Sequence, residues 1–430
     1  MQRPQMNRRD LMRWGASGAL AAAMPAATWA DPPPRLGKAE ACIFLWLGGG
    51  AAQLDTFDPK RRGDGKKVAG SYYDAIPTAQ HDVQVCEHLG GLADRLDRCA
   101  IIRTLHHKII DEHGAATNLL HTGRPVSETI AYPSLGSIVS RERGSGGDGV
   151  PAYVVIGYPN VSRGPGFLGS KHGYVYLTDT GSGPSGLTPP SSVKPARRGR
   201  RERLLETFRS DFRASHPDDP AVADYVAASR EAARLSGPTF REVFQLDREP
   251  SSRRQAYGGE FGQRCLLARR LVEAGVRFVE VAHNLNFVNG TGWDTHNQGQ
   301  LQQHGLIIEL DHAISALIDD LGRIGRLDST LVVVATEFGR PAEFDAGGGR
   351  GHQSTTFSAV LAGGGLRTGR VVGATDDLAK TIVDRPVSVP DFHATIHTAL
   401  GIDAAKGMRT PDGRPVPITD QGRALTELLG

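Results

Sequence analysis

Leu331-Val332-Val333-Val334-Ala335 restricts this chain more than any other stretch. A short run of apolar residues, three of them β-branched, offers no polar face, so it reads as a strand covered on both sides. Ala41–Leu47, Ala152–Ile156 and Val276–Val281 have the same character. Helical patterns lie between such runs. From Glu260 to Ala274, Phe261, Cys265, Leu266, Ala268, Leu271 and Val272 recur on one face, and Gly275 follows as a stop. From Leu306 to Ile324, Leu306, Leu310, Ile314, Leu317 and Leu321 do the same. Fully apolar strands alternating with amphipathic helices predict an α/β fold, with a doubly wound, mostly parallel central sheet and helices on both faces. Ala100–Arg103 and Phe357–Leu361 are further strands, Gly114–Thr122 is helical, and a last helix over Phe392–Leu400 takes Asp391 as its cap.

Residues 1–30 read as a targeting segment rather than part of the fold. Arg8-Arg9 precedes a Gly/Ala-rich run from Gly15 to Ala27, and Thr28-Trp29-Ala30 offers small residues for cleavage before Asp31. The run is too short and too weakly apolar to span a bilayer. A twin-arginine signal peptide is predicted, with the Tat export machinery as partner and a periplasmic or secreted destination. Taking that leader's four arginines and one aspartate from 50 basic and 47 acidic residues leaves the two signs equal. Nothing in that balance calls for nucleic acid, and no membrane span is expected after cleavage.

Residues 31–430 are expected to form a single domain, with a loop and helix insertion around 160–250. Within it, Arg197 to Arg203 reads as a solvated loop entering a helix, and Leu204, Leu205, Phe208 and Phe212 recur at helical spacing. Four cysteines without a Cys-x-x-Cys argue against an iron–sulfur or zinc-ribbon site. Cys42 and Cys265 fall at core positions, whereas Cys86 and Cys99 are free to pair or not.

In an open parallel sheet, ligands bind beyond the carboxyl ends of the strands. Asp55 follows the first strand, Asp294 and His296 follow the Val276 strand, and Glu337 follows the Leu331 strand. His352 arrives on the Gly-rich loop from Ala346 to Gly351. Carboxylates with imidazoles suit a divalent ion such as zinc, manganese or calcium, and are already in their ligating forms at neutral pH. Each residue also has an ordinary reading: Asp294 as a cap, Glu337 as the partner of Arg340. Their gathering at several strand ends favours a metal site.

Taken in order, Gly-Gly-Gly-Ala-Ala-Gln-Leu-Asp-Thr-Phe-Asp-Pro-Lys, Leu-Leu-His-Thr-Gly-Arg, Trp-Asp-Thr-His and Thr-Glu-Phe-Gly-Arg resemble the bacterial domain-of-unknown-function family 1501 over nearly the whole mature chain. That family is grouped with the alkaline phosphatase-like superfamily of sulfatases, phosphatases and phosphomutases. The resemblance implies that superfamily's α/β sandwich and its metal-assisted ester hydrolysis. It implies Asp294, His296 and His352 as metal ligands and Glu337 in the place of a second-metal carboxylate. Phe338 stands where a further ligand belongs, and His113 where sulfatases carry their nucleophile. Thr56 and Thr117 are the nearest hydroxyls. On this footing His113 is a general base or further ligand, and Arg124 holds an anionic ester through its planar fork.

Two functions follow. One is an exported metal-dependent hydrolase of phosphate or sulfate esters. The other is a periplasmic or surface binding protein that kept the sheet and lost catalysis, which Phe338 and the missing nucleophile favour.

Overall fold

The computed structural model describes residues 35–430 apart from 182, 185–191, 236, 287, 297 and 298. The leader expected over residues 1–30 lies outside the described residues. Nine strands form the main sheet: β1 (Ala41–Trp46), β2 (Cys99–His106), β3 (Tyr153–Ile156), β4 (Val175–Leu177), β5 (Phe278–Ala282), β6 (Thr330–Ala335), β7 (Phe357–Gly363), β8 (Arg370–Val372) and β9 (Val387–Ser388). Their order is β8-β2-β7-β6-β1-β5-β3-β4, with β9 pairing beside β8 on β2. The helices used below are α1 (His113–Thr122), α2 (Leu135–Arg143), α3 (Pro195–Ser215), α4 (Pro220–Leu235), α5 (Glu260–Glu273), α6 (Gly299–Arg323) and α7 (Val389–Ala399).

Strand alternation divides the core in two. Ile43, Leu45, Val279, Val281, Val332 and Val334 meet Cys265, Leu266, Leu271, Leu310, Ile314 and Leu317 of α5 and α6. On the other face, Phe44, Trp46, Phe278, Leu331 and Val333 meet Leu119 and Leu120 of α1, Ile138 of α2, and Phe392 and Ile396 of α7. Burying each such side chain contributes roughly 1.5–3 kcal/mol. The runs lack a polar face because helices cover both of theirs.

Register decides where the loops emerge. β1 lies parallel between β5 and β6, with Trp46 opposite Ala282 and Ala335. All three chains therefore leave the sheet side by side. One strand departs from the parallel pattern: β7 runs antiparallel to both β6 and β2. No helix lies between β6 and β7, and a parallel return needs a crossover. The connection over 336–356 consequently stays at the end of the sheet where β6 finishes.

Two local expectations change. Helix α7 is capped by Ser388, whose side chain accepts from Asp391 N–H, while Asp391 returns the bond three residues on. The Arg197–Arg203 run lies inside α3, which starts at Pro195. All four cysteines are buried free thiols.

Candidate metal centre

The site is assembled from four chain segments. After β1, Gly48-Gly49-Gly50 turns with Gly49 at φ 120°, where a Cβ would come within 2.4 Å of the Asp294 nitrogen. Only glycine lets these backbones approach so closely. The bare N–H of Gly49 donates to Glu337 Oε1 at 2.7 Å, which ties the end of β6 to the end of β1. Helix α1 places His113 in its first turn, behind a Glu112 side chain that accepts from Gly114 and Ala115 N–H. The loop after β5 brings Asp294 and His296, and the 336–356 connection brings His352.

Three imidazoles surround one oxygen. Asp294 Oδ1 lies 3.0 Å from His296 Nε2, 3.3 Å from His352 Nε2 and 3.4 Å from His113 Nε2. Each ring is held from behind at Nδ1. Glu337 Oε1 takes His113 at 2.8 Å, Asp111 Oδ1 takes His352 at 3.0 Å, and Asp345 Oδ2 takes His296 at 3.3 Å. With each Nδ1–H given to a carboxylate, a cation that displaces the remaining protons would meet the Nε2 atoms as lone-pair donors. His113, Asp294 and His352 each offer an atom within 4.8 Å of the others. This electron-rich set fits a divalent cation, and carboxylate-backed imidazole is the usual surrounding of a metal-ligating histidine.

Protons answer the same field. Burial opposes charge on His113, yet its hydrogen bonds to Asp294 and Glu337 push the pKa up to about 9. Burial also works against ionised Asp294, but bonds from His113, His352 and Arg340 hold its carboxyl well below the usual carboxylate range. Arg340 is wholly buried. It donates from Nη2 to Asp294 Oδ1 at 2.6 Å and spends its other N–H groups on the carbonyls of Gly49, Gly50, Arg350 and Gly351. It is a fixed charge beside the cluster and not a substrate contact.

The remaining expected residues fall elsewhere or change role. Glu337 contacts His113 and Gly49 and is placed to orient the ring. Asp55 is a correction: it is buried in a two-pronged pair with Arg350, Oδ2 to Nε at 2.8 Å and Oδ1 to Nη2 at 3.0 Å. Both of its oxygens are taken by that guanidinium, and it does not join the His113, Asp294 and His352 group. Arg124 is a second correction. It follows the C-terminus of α1, whereas His113 opens that helix, and a helix of this length separates them by about 15 Å. Its guanidinium donates to Pro417 O at 2.8 Å, pairs with Asp420 and stacks on Tyr132. Thr56 Oγ1 donates to Ala52 O at 2.8 Å, a structural bond. Phe338 packs its ring against His113 and His352, with centroids 4.8 and 4.6 Å apart.

Asp111 and Asp345 were not singled out in the sequence. Asp111 sits at φ 58°, and Asp345 reaches His296 only through the folded path of its loop, so neither carries a local signature. Arg340 is visible in Thr-Glu-Phe-Gly-Arg but suggests an ion pair with Glu337, whereas it turns to Asp294.

The fold and cluster define a doubly wound α/β protein with carboxylate-backed histidines gathered at the strand ends. The chain belongs to the family described as protein of unknown function (DUF1501), whose profile matches residues 39–429. No curated protein sequence matches the chain. Among solved structures, it is similar to an alkaline phosphatase superfamily protein from Vibrio parahaemolyticus, at 10% identity and TM-score 0.38, covering 93% of this chain and 76% of that one. It is similar to the PsFucS1 sulfatase from Pseudoalteromonas sp. at 11% identity and TM-score 0.38, covering 85% and 68%. It is also similar to the lipoteichoic acid synthase LtaP from Listeria monocytogenes at 9% identity and TM-score 0.38, covering 90% and 88%. At that distance residue roles do not transfer.

Proposed function

We propose that this protein is an exported metal-dependent hydrolase of anionic phosphate or sulfate esters. The observation that carries this reading is the pair His113 and His352, each held at Nδ1 by a carboxylate and turned at Nε2 onto Asp294. These three residues would hold the ion. Two nitrogens and an oxygen suit zinc or manganese better than calcium, which takes oxygen ligands. A divalent ion held there supplies Lewis acidity toward an ester oxygen and toward water.

The other residues have roles that follow from their contacts. His296 is the most open ring, its side chain 35% exposed, and stands on the solvent side of the cluster. With Nδ1 anchored on Asp345, its ring would move a proton between water and substrate. Asp345 also lines a cavity of about 530 Å³ with Lys66, Lys67, Tyr72 and Phe344. Those lysines supply the positive charge for an anionic ester that the sequence had assigned to Arg124. Phe338 keeps the floor between His113 and His352 apolar and dry.

The test is metal content of untagged protein purified without chelator, with turnover of nitrophenyl phosphate and nitrophenyl sulfate. Asp294→Ala and His352→Ala should each lose the ion and most turnover, and the double variant should be no worse, since ligands of one ion act together. Turnover indifferent to both substitutions would reject the reading. The binding-protein alternative is favoured by Phe338 and by the structural role of Thr56; bound metal with no turnover of either ester would select it.

A further inference from the structure

Helix α3 faces the wrong way for a globular protein. None of the side chains over Pro195–Ser215 is buried. Leu204, Leu205, Phe208 and Phe212 are 57%, 43%, 62% and 52% exposed. At about 100° per residue these four fall on one stripe. Glu206 lies on the far side of the helix from that stripe, and Glu206 accepts from Arg230 Nε of α4 at 3.0 Å. The helix therefore meets its neighbour with a polar side and turns its apolar stripe outward. An amphipathic surface helix ordinarily does the reverse, because apolar area gains by leaving water. A contiguous exposed patch of Leu and Phe marks a surface awaiting a partner.

Charge selects the partner. The helix carries seven arginines against Glu202, Glu206 and Asp211. Two of those carboxylates are already paired, Glu202 with Arg198 at 2.7 Å and Glu206 with Arg230. Arg201 and Arg197 continue the apolar stripe one and two turns toward the N-terminus. A second copy would bring together two helices that each carry an excess of positive charge. A nucleic acid would match the charge and leave Leu204, Phe208 and Phe212 in water. An anionic lipid surface satisfies both halves, with phosphates at the arginines and acyl chains at the Leu and Phe side chains. No described helix is long and apolar enough to cross a bilayer, so the contact lies in the plane of the interface.

We propose that α3 is an interfacial helix that docks this protein on an anionic membrane surface. The site is independent of the metal cluster, being carried by the segment between β3 and α5. Flotation of the full chain with vesicles of phosphatidylcholine alone, or mixed with phosphatidylglycerol, tests it. Wild type should partition onto the mixed vesicles only, and less as salt rises. Phe208→Ser/Phe212→Ser and Arg197→Gln/Arg201→Gln should each weaken partitioning at least tenfold, with circular dichroism and ester turnover unchanged because the side chains are exposed. Absent partitioning, or partitioning that the Phe pair does not alter, would overturn the proposal. So would a concentration-dependent dimer in light scattering that the Phe pair abolishes, since it would give the face to a second copy.

Discussion

The Nε2 atoms of His296 and His352 stand 3.1 Å apart, within hydrogen-bond distance. Under the proposed function the rings do different work. His113, Asp294 and His352 close around one point, and His296 flanks it on the open side. His296→Asn should therefore keep the bound ion and lose turnover by roughly 10²–10⁴-fold, the scale of a lost proton-transfer group. Metal analysis and kinetics on one preparation separate the outcomes, and loss of the ion with the ring would return His296 to the ligand set. Asp294, His296 and His352 were legible as candidates because carboxylate and imidazole are the side chains that ligate divalent ions. Their backing was not. Glu337 and Asp55 look alike in the sequence, both acidic residues following a strand. One faces His113, whereas the other is closed by Arg350, whose path around the 336–356 connection no local pattern announces.

Between elements, a second buried polar group ties the helices to the sheet. Glu280 lies in the middle of β5, 1% exposed, with His121 of α1 at 3.2 Å and Arg163 bonded from the loop after β3. Burial opposes its charge, but Arg163 and His121 lower its pKa from 4.5 to about 2. A depressed carboxylate stabilises the fold fully above its unfolded pKa, and that contribution is lost as pH falls through the folded value. The shift corresponds to about 3 kcal/mol as an order of magnitude. Glu280→Gln should lower stability in urea by about that amount at pH 7, since Arg163 stays buried without its partner. It should also flatten the loss of stability between pH 4.5 and 2; a variant with the wild-type slope there would remove Glu280 from the account of acid unfolding. Element positions were largely readable from periodicity: α1, α5 and β6 begin and end within a few residues of expectation. The Ser388 cap was missed because Asp391 is an equally good capping type, and only backbone geometry tells the two apart.

For the whole chain, residues 35–430 form one compact unit built around the main sheet. The segment between β3 and α5 contributes β4, α3 and α4 as an excursion from the alternating pattern. The twin arginines and the Thr28-Trp29-Ala30 site lead us to expect a mature N-terminus at or near Asp31. N-terminal sequencing from the native host, beside an Arg8→Lys/Arg9→Lys control, measures this. Unprocessed protein retained inside the cell would count against export.

Local chemistry by itself determined the fully buried strands β1, β5 and β6 and the amphipathic helices α5 and α6, because burial on both faces or on one leaves a period that needs no neighbour to be read. It also determined that polar groups of metal-binding type follow the strands. Tertiary structure alone decided which of those groups meet. Parallel register sets Trp46, Ala282 and Ala335 in a row, and the antiparallel return of β7 keeps His352 at the same end. The same limit applies to α3. Its Leu and Phe stripe has the spacing of a core helix, and only the fold shows it turned to solvent, since periodicity reports that a helix has an apolar side but not what that side faces.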